Sequence, residues 1–233
     1  MDAVVPAAGA GTRLRPLTAD QPKGLVAVAG RPLLAHVFET LIDSGVDRLI
    51  VVCGYRGEQI RARFGTTYQE TPIEYVWQDD RRGLGHAVYQ AREAVAGPFV
   101  VLNGDNIVAG TLRRPIDRFR THSTTAVVAT ETTTLDVART TGVVQTTDDR
   151  VESIVEKPEN PPGTRVTTGC YVLSPAIFDA IAATPLAATG EIELTHAIDR
   201  LAATDPVLAV PLGTDRVNVN TPADIDAAET LVA

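Results

Sequence analysis

The first hundred or so residues repeat one pattern, a short apolar run and then a stretch of helical periodicity, and this alternation constrains the fold more than any other feature. Residues 49–53 are apolar without interruption, which is the pattern of a strand buried on both faces. Residues 2–6, 73–77 and 99–102 supply further strands. Between them, residues 33–42, 57–64 and 84–95 carry apolar side chains at helical spacing, and Ser44-Gly45 stops the first of these helices. Strands that alternate with helices need crossover connections, so the expected core is an open, mostly parallel sheet with helices on both faces. After Phe119 the pattern changes to β-rich segments at 126–131, 143–146, 151–155 and 166–173, separated by Asp-Asp, Pro-Pro and Gly turn signals. These strands enlarge the sheet or form a small lobe. Helices at 175–181 and 192–201, strands at 207–210 and 217–219, and a closing helix at 222–231 complete the reading.

A chain of 233 residues is long enough to bury one substantial core, so a single domain over 1–233 is expected. Its formal charge of -8 argues against non-specific binding to nucleic acid and leaves any anionic ligand to local cations. The sequence has no apolar run long enough to span a membrane and no basic, hydrophobic leader at Met1, so a soluble cytoplasmic protein is expected. Cys53 and Cys170 lie far apart without metal-ligand spacing and read as buried free thiols. Of the 21 basic residues only Lys23 and Lys157 are lysines, and the rest are arginines. Lysine avoidance with an acidic excess suits a high-salt cytoplasm, although a GC-rich genome gives a similar bias.

The strongest local signal follows the first strand directly. It runs Ala7-Ala8-Gly9-Ala10-Gly11-Thr12-Arg13-Leu14 and continues through Pro16-Leu17-Thr18 to Pro22-Lys23. Small residues let backbone N–H groups approach a polyphosphate, the Thr12 hydroxyl adds a donor, and Arg13 and Lys23 neutralise charge. The Rossmann fingerprint wants a third small residue where Leu14 stands and an immediate helix where Pro16 and Pro22 stand. The Walker loop wants Gly-Lys-Ser or Gly-Lys-Thr where this chain has Gly-Thr-Arg. Taken alone, a Gly-x-Gly after a strand reads sooner as a tight turn between strand and helix. The pairing of Arg13 with Lys23 favours an anion cradle.

These residues resemble the signature of the sugar-phosphate nucleotidyltransferases of the glucose-1-phosphate thymidylyltransferase and uridylyltransferase type. Further matches follow in order. Gln78 with Gly83-Leu84-Gly85-His86-Ala87 resembles the nucleobase segment, and Asn103-Gly104-Asp105-Asn106 resembles the metal-binding strand end. Gly142-Val143-Val144, Glu156-Lys157-Pro158 and Thr168-Gly169-Cys170-Tyr171 resemble the sugar-side motifs. The resemblance implies a Rossmann-like nucleotide-diphospho-sugar transferase fold with its site across the carboxyl edge of the sheet. About 1–120 would form the nucleotide-binding part and about 121–233 a β-rich sugar-phosphate part. It also implies Mg2+, a nucleoside triphosphate and a sugar 1-phosphate as ligands, and a possible homo-oligomer.

By the same resemblance, Ala8, Gly9, Gly11, Thr12, Gln78, Gly83 and Asp105 would bind the nucleotide, and Arg13, Lys23 and Lys157 would act on the phosphates. Gly142, Glu156 and Gly169 would face the sugar. Asp105 would be one metal ligand, against the plainer reading of a cap on a following helix. Asn218 stands where many relatives have the second, an aspartate, and Thr189 stands where an arginine often precedes Gly190-Glu191. The favoured substrates are dTTP or UTP and glucose 1-phosphate; these two departures leave open a sensor that keeps the pocket without turnover, and transfer to a non-sugar phosphate is a further alternative. His36, His86, His122 and His196 are unclustered and read as core or surface residues.

Overall fold

In a computed structural model describing residues 1–233, the first apolar run becomes β1 (Asp2–Ala7) and leads into a long loop. The loop holds two 3-10 turns, Thr12–Leu14 and Lys23–Leu25, and a ribbon of β2 (Ala27–Val28) and β3 (Arg31–Pro32). Then come α1 (Leu33–Asp43), β4 (Arg48–Cys53), α2 (Gly57–Phe64), β5 (Thr67–Tyr68), β6 (Thr71–Trp77), α3 (Gly83–Gln90) and β7 (Phe99–Leu102). The remainder is β8 (Asn106–Val108), α4 (Arg113–Thr121), β9 (Ala126–Thr132), α5 (Leu135–Ala138), β10 (Gly142–Thr147), β11 (Arg150–Glu156) and β12 (Arg165–Leu173). It closes with α6 (Ala176–Ala182), α7 (Leu194–Ala202), β13 (Val207–Pro211), β14 (Arg216–Asn218) and α8 (Pro222–Val232).

Ten strands form one sheet in the order β10-β11-β13-β9-β12-β7-β1-β4-β6-β5. The expected open α/β sheet is present, with a parallel block of β7, β1, β4 and β6. The second half of the chain makes the sheet mixed, because β12 runs antiparallel to both β7 and β9. The β-rich segments therefore enlarge the sheet.

Burial on both faces accounts for the unbroken apolar runs. Leu49, Val51 and Cys53 belong to one core cluster, with Phe38 and Leu41 of α1 and Ile60 of α2. Ile50 and Val52 belong to the opposite cluster, with Val88 of α3, Ile177 of α6 and Ile198 of α7. Both cysteines are free and buried, and burial pushes each thiol up to about 12. No helix is long and apolar enough to cross a membrane.

A third, smaller cluster holds the site in place. Leu14, the residue that breaks the Rossmann fingerprint, is fully buried with Val28, Leu33, Ile107, Val219 and Ala228. It ties the Gly-rich loop to β8, to the end of β14 and to α8. Full burial of a leucine is worth about 2 kcal/mol, so the loop is anchored by packing as well as by hydrogen bonds.

Candidate active site

Three strands of the parallel block end at one place. β1 delivers Pro6 and Ala7, β6 is followed by Gln78, β7 by Asn103, and all of these line one cleft of about 910 Å³. Ligand sites of open α/β sheets lie beyond the carboxyl ends of their strands. Ala8, Gly9, Gly11, Thr12, Arg13, Lys23, Gln78, Gly83 and Asp105 all line this cleft, together with Glu191 and Asn220.

The loop takes its shape from Gly11, which sits in the left-handed region at φ 59°. A Cβ there would come within 2.9 Å of the Lys23 Cβ, so a glycine lets the lysine stem lie against the turn. Thr18 donates its hydroxyl to the Gly11 carbonyl at 2.8 Å and closes the same turn. Lys23 Nζ then donates to Asp105 Oδ2 at 2.7 Å and to Asn220 Oδ1 at 2.9 Å. Arg13 Nη2 donates to that same Asn220 oxygen at 2.8 Å. One neutral acceptor thus gathers both loop cations without cancelling either charge. Sequence reasoning did not single out Asn220.

Asp105 does not cap a helix, since β8 follows it. β14 pairs with β8 so that Asn218 lies opposite Asn106, and this brings Asn218 to Asp105. The Asn218 carboxamide stands 3.1 Å from each Asp105 carboxylate oxygen. With nitrogen turned toward Asp105 it donates two hydrogen bonds. With oxygen turned there, the two residues offer a cluster of hard oxygens, the donor chemistry that magnesium selects. In that second orientation the pair has the oxygen donors a magnesium site calls for, whereas hydrogen bonding within the protein alone favours the first.

The sugar-side residues form a separate group beside the cleft. Lys157 follows β11, and its Nζ lies 3.0 Å from Glu156 Oε1 and 3.3 Å from Glu193 Oε1. Half-burial pulls the Lys157 pKa down, but Glu156 and then Glu193 outweigh it, so the ammonium ends above the ordinary lysine range. Thr195 donates its hydroxyl to Glu156 Oε2 at 2.8 Å. Gly142 makes room for this group, since a Cβ there would meet Thr195 and Glu156. Gly169 sits at a bulge in β12 at φ 72°, where a Cβ would strike the Asn103 and Asn106 carboxamides. Lys157, Glu156, Gly142, Gly169 and Asn218 are not among the cleft-lining residues. Gly169 packs on Asn103 and Asn218 on Asp105, both of which line the cleft, and Lys157 pairs with Glu193, two residues along the chain from the cleft-lining Glu191.

In the base segment Gly83 lines the cleft, and two neighbours are added that the sequence does not show. A Cβ on Gly83 would run into Glu191 and Ile192, so what approaches that glycine closely is the 190–193 segment. His86, read from sequence as unclustered, stands 2.9 Å from Gln78 Nε2 through its Nδ1.

The model of the nucleotidyl transferase family matches residues 2–213. The chain belongs to the nucleotidyl transferase family. This nucleotidyltransferase is 39% identical over 231 residues to the UTP–glucose-1-phosphate uridylyltransferase AglF of Haloferax volcanii, covering 98% of this chain and 95% of that protein. It is 33% identical over 205 residues to the bifunctional protein GlmU of Methanococcus maripaludis, covering 86% of this chain and 47% of that longer protein. Among solved structures, UTP-bound UGPase from Acinetobacter baumannii has a TM-score of 0.87 and 26% identity, over 98% of this chain and 92% of that one. A UDP-glucose pyrophosphorylase complexed with UDP-glucose shares the fold at a TM-score of 0.91 and 23% identity, over 99% of this chain and 97% of that one.

Proposed function

We propose that the protein forms a nucleoside-diphosphate sugar and pyrophosphate from UTP or dTTP and a sugar 1-phosphate, glucose 1-phosphate above others, with magnesium. The observation that carries this reading is the pairing of two cation stations. Arg13 and Lys23 share one acceptor beside Asp105 in the cleft, and Lys157 stands apart with its own carboxylates. Two phosphorylated substrates need two such stations. The 39% relative is named for UTP and glucose 1-phosphate, which supports uridine and glucose as first choices.

In this reading about 1–120 holds the triphosphate and about 121–233 the sugar phosphate. Backbone N–H groups of residues 8–12 and the Thr12 hydroxyl bind the triphosphate. Arg13 leaves Asn220 to hold the β and γ phosphates, and Lys23 neutralises oxygens beside them. Lys157 holds the sugar phosphate, with Gly142, Glu156 and Gly169 around the sugar. The sugar phosphate oxygen attacks the α-phosphorus, the bond to the β-phosphate oxygen breaks, and pyrophosphate leaves in line. Such transfer needs little beyond positioning and charge neutralisation. Asp105 and Asn218 would hold magnesium, which when bound neutralises phosphate charge. A cytoplasmic setting, where nucleoside triphosphates are made, and assembly into a homo-oligomer belong to the same proposal.

Pyrophosphate release from glucose 1-phosphate with each of UTP, dTTP, CTP, ATP and GTP tests the reading, with magnesium and again with a chelator. Release that is fastest with UTP or dTTP and lost on chelation is expected. Tight triphosphate binding without release under any pairing would instead indicate a sensor, and release only with a non-sugar phosphate would move the acceptor.

Lys157→Ala is expected to raise the KM for the sugar 1-phosphate by about ten- to a hundredfold, the size of one charge-assisted phosphate contact. The KM for the triphosphate should change by less than about threefold, because the cations of that half are Arg13 and Lys23. Initial-rate kinetics with each substrate varied in turn check this, and an equal rise in both constants would contradict the division of labour.

A further inference from the structure

We propose that His86 sets the nucleobase preference of the cleft by fixing which end of the Gln78 carboxamide faces the base, so that a base with a ring N–H is accepted and one with a bare ring nitrogen is refused. This rests on the reading of the cleft as a uridine or thymidine triphosphate site.

Gln78 lies just past β6, lines the cleft and is only 4% exposed. Its Nε2 donates to the Gly83 carbonyl at 3.3 Å and faces His86 Nδ1 at 2.9 Å. A backbone carbonyl only accepts, so Gly83 requires the nitrogen end of the amide. His86 Nδ1 requires the same end provided the ring is neutral with its proton on Nε2. Burial first, and then the Arg82 guanidinium, hold the His86 pKa below the ordinary histidine range against the opposing pull of Asp80, which keeps the ring neutral at pH 7. The Gln90 carboxamide lies 3.0 Å from the other ring nitrogen. A neutral ring accepts at one nitrogen only, so one of the two amides must turn. Each amide nitrogen also donates to a backbone carbonyl, Gln78 to Gly83 at 3.3 Å and Gln90 to His86 at 3.2 Å, but the partly exposed Gln90 can turn and give that carbonyl to water, whereas Gln78 is buried, so Gln90 turns and Nδ1 remains the acceptor for Gln78.

The consequence is at the other end of the amide. Gln78 Oε1 makes no hydrogen bond within the protein and is not among the chain's fully buried orphan atoms, so it is an acceptor open to the cleft. Uracil and thymine present N3–H to such an oxygen. Cytosine presents a bare N3 of nearly the same shape, and adenine a bare N1, each setting lone pair against lone pair. A site with a fixed polar group discriminates strongly against a base that leaves it unpaired. If His86 were replaced by a group with no acceptor, Gln78 would lose one of its two orienting contacts and could present its nitrogen to cytosine at lower cost.

The test uses the full chain. The ratio of kcat/KM for UTP over CTP, with glucose 1-phosphate and magnesium, is measured together with the Kd of each triphosphate by calorimetry. Wild-type protein is expected to favour UTP by a hundredfold or more. His86→Phe and His86→Leu, neither of which offers an acceptor, should lower that ratio at least tenfold, with the loss appearing in KM and Kd more than in kcat. His86→Asn, whose Oδ1 keeps an acceptor near the Nδ1 position, should keep the ratio within about threefold of wild type. A structural role alone would weaken UTP and CTP together and leave the ratio unmoved. A wild type that discriminates, with a folded His86→Phe or His86→Leu that discriminates equally well, overturns the assignment alone. A wild type indifferent between UTP and CTP overturns the assignment and the substrate reading together.

Discussion

Alanine at Asp105 is expected to lower turnover on the order of a thousandfold while the protein still unfolds cooperatively within a few degrees of wild type. Removing a single group that stabilises developing charge costs about a hundred- to a thousandfold in comparable sites. Asp105 is positioned for a larger role, because its carboxylate meets Lys23, Asn218 and the cleft at one point. Without it, on the proposed reading, Asn218 would have no carboxylate beside which to hold magnesium, and Lys23 loses an ion-pair partner. The structural cost is small by comparison. The strand end is fixed by the backbone, where the Val219 N–H donates to the Asp105 carbonyl at 2.9 Å, and Asn220 still accepts from Lys23. Breaking the ion pair leaves Lys23, only 13% exposed, short of its counter-charge, but the cleft it lines admits water to the ammonium, so the loss is about 1–2 kcal/mol. Pyrophosphate release and a thermal melt on the same preparation check both halves. Turnover within tenfold of wild type would show that Asp105 is not in the catalytic machinery.

What was legible in the sequence was what is encoded locally. The run at 49–53 identified β4 because both faces of that strand are buried, one against α1 and α2 and the other against α3, α6 and α7. The Gly-rich loop and Asp105 could be singled out because each motif is carried by neighbouring residues, and the structure brings both to one cleft. The β8–β14 ribbon was only half visible: β14 lies close to its expected place, but β8 is three residues long and exists because a strand over a hundred residues away pairs with it. Helix α4 was missed because its few apolar residues stand among arginines. Asn220 was missed for the same reason as β8. Its meaning comes from Arg13 and Lys23, about two hundred residues away, and nothing in the local pattern marks it. His86 looks isolated in the sequence because its partner is not another titratable group but the amide of Gln78.

The same long-range construction makes Arg216→Met the most damaging surface-to-core change expected outside the cleft. Arg216 begins β14, and its side chain is only 10% exposed. Its guanidinium grips Glu131 of β9 through Nε at 3.1 Å and Nη2 at 2.5 Å, and Nη1 donates to Asn106 Oδ1 at 3.1 Å. Asn106 passes the connection on by donating to the Thr168 carbonyl at 2.6 Å. One side chain thus pins the strand that carries Asn218 to β9 and β12. Methionine keeps much of the stem and removes all three contacts. Breaking a buried pair by removing one partner costs about 3–5 kcal/mol, but Glu131 is 33% exposed and is partly rescued by water. The expected loss is therefore about 2–3 kcal/mol, read as a fall in the denaturant midpoint at unchanged slope. Adding Glu131→Leu to Arg216→Met should restore part of that stability, because the stranded carboxylate is gone. Turnover should stay low in both variants, since Asn106 remains without its partner and Asn218 without its anchor. Recovery of stability without recovery of turnover would separate the two duties of Arg216, holding the sheet together and presenting Asn218 to Asp105. Wild-type stability in the single variant would mean that the network is not needed to hold β14 in place.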